Sequence, residues 1–374
     1  MHMPDGRKQY RVAIVGTGAI AGGRHIPAIQ AQDGRAKVVA VVDVDGDRAA
    51  AFAAEWGVEH SYTDLDTMLA ADQPDLAIIC TPPSVHHAGV QACLRADAWV
   101  WCEKPPVLSL AEYDGLMADE RDGGPYVGYV FQHRFGSAAR TLREHIAAGA
   151  LGRPLVGICH TLWYRDDAYY EVPWRGKWET EGGGPTMGHG IHQMDLMLSL
   201  LGDWREVRAM MGTLDRRIAT EDVSLAAVSF ESGALVSVVN SVLSPREVSY
   251  LRFDFSEATV EVSHLYGYDN SHWTWTPLRG VAEERAAGWL PTTDVRSSHN
   301  VQLAEFLDSM DRAERPAVSG ADGRRSLELI TGLYQSAITG SPVNRAELEP
   351  GNPFYTQLDG GGRYSAGITA GVTR

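Results

Sequence analysis

The sequence predicts an α/β protein: a doubly wound parallel sheet, followed by an α/β domain built on an open, mostly antiparallel sheet. Three observations carry that expectation. Up to about residue 127, short β-branched runs alternate with helical segments, the pattern of strands joined by crossover helices. A glycine-rich turn links the first such run to the first helix. After residue 127 the pattern changes to several alternating strand candidates closed by two long helices. We therefore expect three segments, at 1–127, 128–349 and 350–374.

Arg11-Val12-Ala13-Ile14-Val15 is a strand that stops at Gly16, and residues 19–30 turn helical, with Ile20, Ile26 and Ile29 available for one face. A second strand over 37–42 ends at Asp43, and an Ala-rich helix covers 47–56. Pro74 opens a third strand at 76–80, which Pro82-Pro83 closes. A helix over 86–95 precedes the strand Trp99-Val100-Trp101-Cys102. In the second segment, helix 137–148 precedes a strand over 155–164, and helix 191–201 follows a glycine-rich loop. Strands are expected at 225–230, 234–242, 250–255 and 259–264, and helices near 300–310 and 324–339. The six glycines after Pro350 give the last segment the composition of an arm or a disordered end.

Composition narrows the function classes. A net charge of −15 repels phosphate backbones and anionic lipid, so neither nucleic acid nor a membrane surface is an expected partner. No apolar run reaches the roughly 18 residues a bilayer span needs. The opening Met1-His2-Met3-Pro4-Asp5-Gly6 has no apolar signal core. Cys80, Cys93, Cys102 and Cys159 are too scattered for a disulfide framework or a paired-cysteine zinc site. A cytoplasmic protein with reduced thiols is the expectation.

Gly16-Thr17-Gly18-Ala19-Ile20-Ala21 spells G-x-G-x-x-A between a strand and a helix. Gly16 suits the tight turn, Gly18 lets a pyrophosphate approach the backbone, and small Ala21 lets the helix pack close. The helix N-terminus then faces the anion. Asp43, at the end of the second strand, is placed to accept hydrogen bonds from an adenosine ribose and to repel a 2′-phosphate. It would also make a good turn residue. Dinucleotide binding by residues 1–127 follows, with NAD preferred and NADP as the alternative through a nearby cation such as Arg48. After the Trp99–Cys102 strand stands Glu103-Lys104-Pro105-Pro106. Ligands of open α/β sheets lie beyond the carboxyl ends of the strands, so Lys104 is a candidate to hold a substrate oxygen whose charge changes during hydride transfer.

These motifs, with Thr81-Pro82-Pro83-Ser84-Val85-His86, Val127-Gly128-Tyr129, Gln132-His133-Arg134-Phe135 and the run from Gly182-Gly183-Gly184 to His192-Gln193-Met194-Asp195, fall in order along residues 10–345. Together they resemble the glucose–fructose oxidoreductase / inositol dehydrogenase / MocA family. The resemblance implies an N-terminal Rossmann domain and a C-terminal α/β domain whose open sheet serves as an oligomer interface, hence a homodimer or homotetramer. It implies that Thr81, Pro82 and His86 lie along the nicotinamide half of the cofactor, that Glu103 and Lys104 flank the nicotinamide ribose, and that Trp174 and Arg175 reach the cofactor from the second domain.

His189, His192 and Asp195 recur every third residue and so share one side of a helix start. With the resemblance, His192 becomes the expected proton carrier, work that imidazole suits because it titrates near neutrality. A metal site on these three residues is the weaker reading, and no metal is expected. The family pattern usually has Asp four residues before this His, where this chain has Gly188. Either Lys104 and His192 suffice, or His189 supplies the lost polar group, or the chemistry is not simple alcohol oxidation. Between Trp163 and Trp178 aromatic and cationic residues alternate, the composition of a surface that stacks on sugar rings and binds hydroxyls. Tyr164, Arg165, His189 and Asp195 are the expected substrate-binding residues. Tyr266, Tyr268, Trp273 and Trp275 are expected to pack or to form an interface.

The reading is an NAD(P)-dependent oxidoreductase acting on a secondary hydroxyl or ketone of a sugar, sugar derivative or cyclic polyol. Two alternatives remain at this point. One is an enzyme that oxidises and re-reduces its substrate transiently to allow a glycosidic or C–C elimination. The other is a non-catalytic dinucleotide sensor.

Overall fold

The computed structural model describes residues 8–364. The described residues pack as two units: 8–107, 112–130 and 299–324 form the first, and 108–111, 131–298 and 325–364 the second. Residues 299–324, expected in the second segment, thus belong with the first.

The first unit holds a six-stranded sheet of β1 (Tyr10–Val15), β2 (Ala36–Val42), β3 (His60–Tyr62), β4 (Leu76–Ile79), β5 (Trp99–Cys102) and β6 (Val127–Tyr129). All neighbours are parallel, in the order β3-β2-β1-β4-β5-β6. The order reverses between β1 and β4, which makes that point the crevice where such sheets bind ligands. Every residue of β4 is buried, the pattern of a strand covered on both faces. β3 escaped sequence reading because His60-Ser61-Tyr62 has neither an apolar run nor alternation.

The first helix opens as a π-turn over Ala21–His25 and continues as α over Ile26–Gln30. The second runs from Gly46 to Trp56, capped by the Asp45 carboxylate, which accepts from Arg48 N, and ended by Gly57 at φ +66°. One apolar cluster joins Ile14, Ile29, Ile78 and Trp101 to Leu303, Phe306, Leu307 and Met310. The last four explain why the helix His299–Arg312 belongs to this unit. Gly128 is small of necessity, since a Cβ there would stand 2.7 Å from the Phe306 ring.

The second unit is built on an eight-stranded sheet: β7 (Pro154–Tyr164), β8 (Trp204–Gly212), β9 (Val223–Phe230), β10 (Leu235–Ser241), β11 (Leu243–Phe255), β12 (Ala258–Ser263), β13 (Trp273–Pro277) and β14 (Val343–Asn344). The order is β13-β12-β11-β7-β10-β9-β8-β14, antiparallel except for the β7–β10 pair. β11 starts well before the expected residue 250, because a register shift between Leu243 and Val248 absorbs Pro245 and the charged pair after it. The strand face carrying Val236 and Val238 is buried, while Val156, Met210, Leu225 and Leu235 on the other face are half or more exposed.

The helices Ile191–Leu201 and Gly320–Thr339 supply buried leucines to this unit, among them Leu198, Leu201, Leu329 and Leu333. Residues 350–364 are not a loose end: Phe354, Leu358 and Tyr364 are buried, and the Tyr364 hydroxyl meets Thr213 Oγ1 at 2.8 Å. Glycine content masked these three anchors. The remainder of the expected tail lies outside the described residues.

Candidate active site

In the first unit the phosphate loop follows β1. Gly16 has φ +91°, and a Cβ there would lie 2.9 Å from the backbone of Cys80 and Thr81, so only glycine fits. A Cβ on Gly18 would meet nothing within 4 Å, which leaves the open backbone approach a pyrophosphate needs. Thr17 is buried, Ala19 exposed and Ile20 half-buried. Thr17 ties the loop to the end of β2: its N and Oγ1 both donate to Asp43 Oδ2 at 2.9 Å. Arg48 grips the same carboxylate with Nε at 2.9 Å and Nη2 at 2.5 Å. Burial would raise the Asp43 pKa, but Arg48 and the Thr17 and Asp45 donors hold it well below the usual carboxylate range.

This arrangement sets a testable cofactor preference. Asp43→Ser removes the carboxylate and releases the Arg48 guanidinium. NAD affinity should fall and NADP affinity rise, moving their ratio roughly 10- to 100-fold toward NADP, the value of one or two charged hydrogen bonds. Titration of both cofactors against parent and variant checks it, and an unmoved ratio would remove Asp43 from cofactor choice.

Beyond β4, Thr81 Oγ1 is a buried hydroxyl with no hydrogen-bond partner among the described residues, an atom awaiting a ligand group beside Pro82. His86, expected along the cofactor, is instead a loop staple. Its ring is buried, with Nδ1 2.9 Å from Pro105 O and Nε2 2.8 Å from Thr81 O. Burial lowers its pKa against the pull of those carbonyls. Glu103 is turned inward as well: Oε1 meets His25 Nε2 at 2.8 Å and His299 Nε2 at 3.5 Å, and Oε2 accepts from Lys104 N at 3.2 Å. The carboxylate expected at the ribose thus has hydrogen-bond partners within the fold.

Among the described residues, His25, Glu103 and His299 are the one group placed to hold a metal, with ligand atoms within 4.8 Å of one another. At 2.8 Å, however, His25 and Glu103 are a hydrogen-bonded pair, closer than the ~3.3 Å between two ligands of a tetrahedral ion. Lys104 is half-buried at the end of β5.

In the second unit the loop Gly182–Gly184 leads through a π-turn, Thr186–Gly190, into the helix Ile191–Leu201. The buried Glu221 carboxylate secures this loop, accepting from Gly184 N at 2.9 Å, Thr186 N at 3.1 Å and Tyr334 Oη at 3.0 Å. A Cβ on Gly184 would lie 1.8 Å from Glu221 O, so the loop can sit there only as glycine.

Burial pushes the Glu221 carboxyl up to about 7, against those loop donors. The folded protein then holds a proton between about pH 4.5 and 7 that the unfolded chain gives up. The stability involved is present in full below the unfolded value and is lost as pH rises to about 7, on the order of 3 kcal/mol. Thermal denaturation at pH 5 and pH 8 should show a smaller pH effect in Glu221→Gln than in the parent. Equal pH effects would exclude Glu221 as the source.

His192 is buried at the helix start, with the rings of Phe131, His133 and Tyr266 at 6.2, 5.3 and 5.5 Å between centroids. Tyr266, assigned by sequence to packing or an interface, is thus part of the His192 surroundings; Gln132 Nε2 donates to its hydroxyl. Its partner His133 was visible only as part of Gln132-His133-Arg134-Phe135. His189 meets Trp163 at 5.1 Å and Tyr169 at 5.8 Å, and the Tyr169 hydroxyl stands 3.4 Å from its Nε2.

Arg175 lies over the Tyr169 ring at 3.8 Å and the half-buried Trp174 ring at 4.4 Å. Arg165 lies over Trp163 at 4.9 Å and pairs with Glu247 at 3.0 Å, while Tyr164 is exposed with Arg216 over its ring. Asp195 does not join them. It is fully buried, bound by Arg134 Nε at 2.6 Å and Nη2 at 2.5 Å and by Ser326 Oγ at 2.8 Å, so it is a structural anchor and not a substrate ligand. Gly188 has a carboxylate close by: a Cβ there would stand 3.4 Å from Glu181 Oε1.

Residues 10–129 match the oxidoreductase family with an NAD-binding Rossmann fold, and residues 139–262 match the GFO/IDH/MocA C-terminal domain. The chain belongs to the Gfo/Idh/MocA family. As a member it is an NAD(P)-dependent oxidoreductase. It is 26% identical over 358 residues to a D-glucoside 3-dehydrogenase of Escherichia coli (strain K12), covering 89% of this chain and 97% of that protein. It is 27% identical over 326 residues to a myo-inositol 2-dehydrogenase of Thermotoga maritima, covering 85% and 93%. The fold is similar to that of the WlbA dehydrogenase from Bordetella pertussis, solved with NADH and UDP-GlcNAcA. That match has a TM-score of 0.80 at 24% identity and covers 90% and 99% of the two chains. For this Gfo/Idh/MocA member, Gly16, the open Gly18 and the unpartnered Thr81 hydroxyl fit a dinucleotide. No described helix is long and apolar enough to cross a membrane.

Proposed function

We propose that this oxidoreductase transfers hydride between nicotinamide and a secondary hydroxyl or ketone of a sugar, sugar derivative or cyclic polyol. The observation that carries the substrate class is the set of rings Trp163, Tyr169 and Tyr266 around His189 and His192, because aromatic faces stack on the C–H faces of sugars. The names of the glucoside and inositol dehydrogenases support the same class.

The bound cofactor supplies or accepts the hydride. Lys104 holds the substrate oxygen and offsets its developing charge, and His192 carries the hydroxyl proton. Gly16, Thr17, Gly18, Ala19, Ile20, Asp43, Thr81 and Pro82 hold the cofactor, which is NAD in preference to NADP. Trp174 and Arg175 are further cofactor-binding candidates. Tyr164, Arg165 and His189 orient the other hydroxyls.

The reading includes assembly as a homodimer or homotetramer, supported by the exposed Val156, Met210, Leu225 and Leu235 on one face of the second sheet. It also includes a cytoplasmic, reducing setting, supported by four buried free cysteines. The test is near-ultraviolet absorbance of purified protein given NAD or NADP with a panel of sugars, inositols and glycosides. NADH formation on one member class is the expected result. Cofactor binding without turnover on any member would replace this reading with transient oxidation or a sensor.

A further inference from the structure

Glu103 directly follows β5, at the carboxyl edge of the parallel sheet where open α/β folds bind their ligands. It is only 6% exposed, and carboxylates so placed are rare unless their charge is answered nearby. The groups that face it are His25 from the helix after the phosphate loop, His299 from the returning helix, its own neighbour Lys104, buried His86 and the buried thiols Cys80 and Cys102.

Burial would raise the Glu103 pKa, yet hydrogen bonds from both histidines hold it well below the carboxylate range. Burial drives the His25 pKa down, so that ring donates Nε2–H to Glu103 as a neutral group. The ring is fixed by edge contacts with Trp101 at 5.0 Å and His299 at 5.3 Å. His25 therefore orients the carboxylate without cancelling its charge. A charge shielded from water acts over several ångströms with little screening.

We propose that the Glu103 carboxylate, seated on His25 and His299 at the end of β5, favours oxidised over reduced nicotinamide by electrostatic attraction. Oxidised nicotinamide carries a positive ring charge and reduced nicotinamide carries none, so a negative charge at this edge discriminates the two states. The role of Glu103 is thus to tune the bound redox couple, while the hydrogen bond to Lys104 N also holds the start of the lysine segment. The inference rests on the nicotinamide-dependent reading above.

The experiment measures dissociation constants of NAD+, NADH and ADP-ribose for the full chain and for Glu103→Gln, which keeps the shape and removes the charge. ADP-ribose, lacking the nicotinamide ring, should bind both proteins alike. The ratio of NAD+ to NADH dissociation constants should rise about tenfold in the variant, a shift of about 30 mV in the bound two-electron couple. Glu103→Asp, which keeps the charge, should stay near the parent ratio. An NAD+ to NADH ratio unchanged within twofold in Glu103→Gln overturns the proposal, whether or not both affinities fall together. If Glu103→Gln does not fold, the double variant with His25→Gln restores an uncharged amide pair and carries the same expectation. A parent protein that binds neither nicotinamide state would refute the underlying reading instead.

Discussion

Turnover of the best substrate should fall by two to four orders of magnitude in Lys104→Ala, while NAD affinity stays within about threefold of the parent. Lys104 stands at the end of β5, and its backbone N–H is already held by Glu103. Truncation beyond Cβ therefore removes the ammonium without freeing the loop. Because the lost interaction strengthens as charge develops on the substrate oxygen, the effect should appear in kcat more than in KM.

His192→Asn should lose turnover to a similar degree by a different route. The amide can hydrogen-bond the substrate but cannot carry a proton, so kcat should fall much more than KM rises. Steady-state kinetics with both variants test the two roles. Parent-like turnover in either one would remove that residue from the chemistry.

The second large effect concerns stability. Asp195→Asn should lower unfolding stability by about 3–5 kcal/mol, because it leaves the Arg134 guanidinium buried without its counter-charge. Arg134 and Asp195 have side chains only 6% and 0% exposed, and Ser326 completes the set. In a chain of this size the apparent melting temperature should fall by about 4–6 °C. Thermal denaturation at fixed pH and scan rate is the measurement. Replacing both partners by apolar residues of similar volume should recover part of the loss, since it deletes the buried charge as well as its counter-ion. A single substitution that leaves the melting temperature unchanged would mean that water reaches Arg134.

How much of this was legible in sequence depends on what each signal encodes. The phosphate loop was readable because Gly16 is demanded by the backbone, at a turn with φ +91°, and Gly18 leaves an open approach to the loop. The parallel sheet was readable because β1, β4 and β5 are mostly buried apolar runs spaced by crossover helices, whereas the more exposed β3 was missed. The three-residue spacing of His189, His192 and Asp195 correctly put them on one helix start. Spacing does not say what packs over each position, and Arg134 covers Asp195. Glu103 had a visible motif, but His25 and His299 are remote in sequence and meet it only through the fold. Tyr266 was hidden because Tyr268, Trp273 and Trp275 around it gave no signal to single it out, and the anchors Phe354, Leu358 and Tyr364 were hidden by their glycine-rich surroundings.

The return of residues 299–324 to the first unit has a consequence for synthesis of the chain. Leu303, Phe306, Leu307 and Met310 cover Ile29 and Trp101, yet they leave the ribosome after most of the second unit has been made. Until then the nucleotide-binding sheet is exposed along that side, and His299 is not yet available to Glu103. The N-terminal domain is therefore not finished first, as vectorial folding of separate modules would have it. Its last structural piece arrives late, so completion of the cofactor site is tied to emergence of residues 299–324, after most of the second unit.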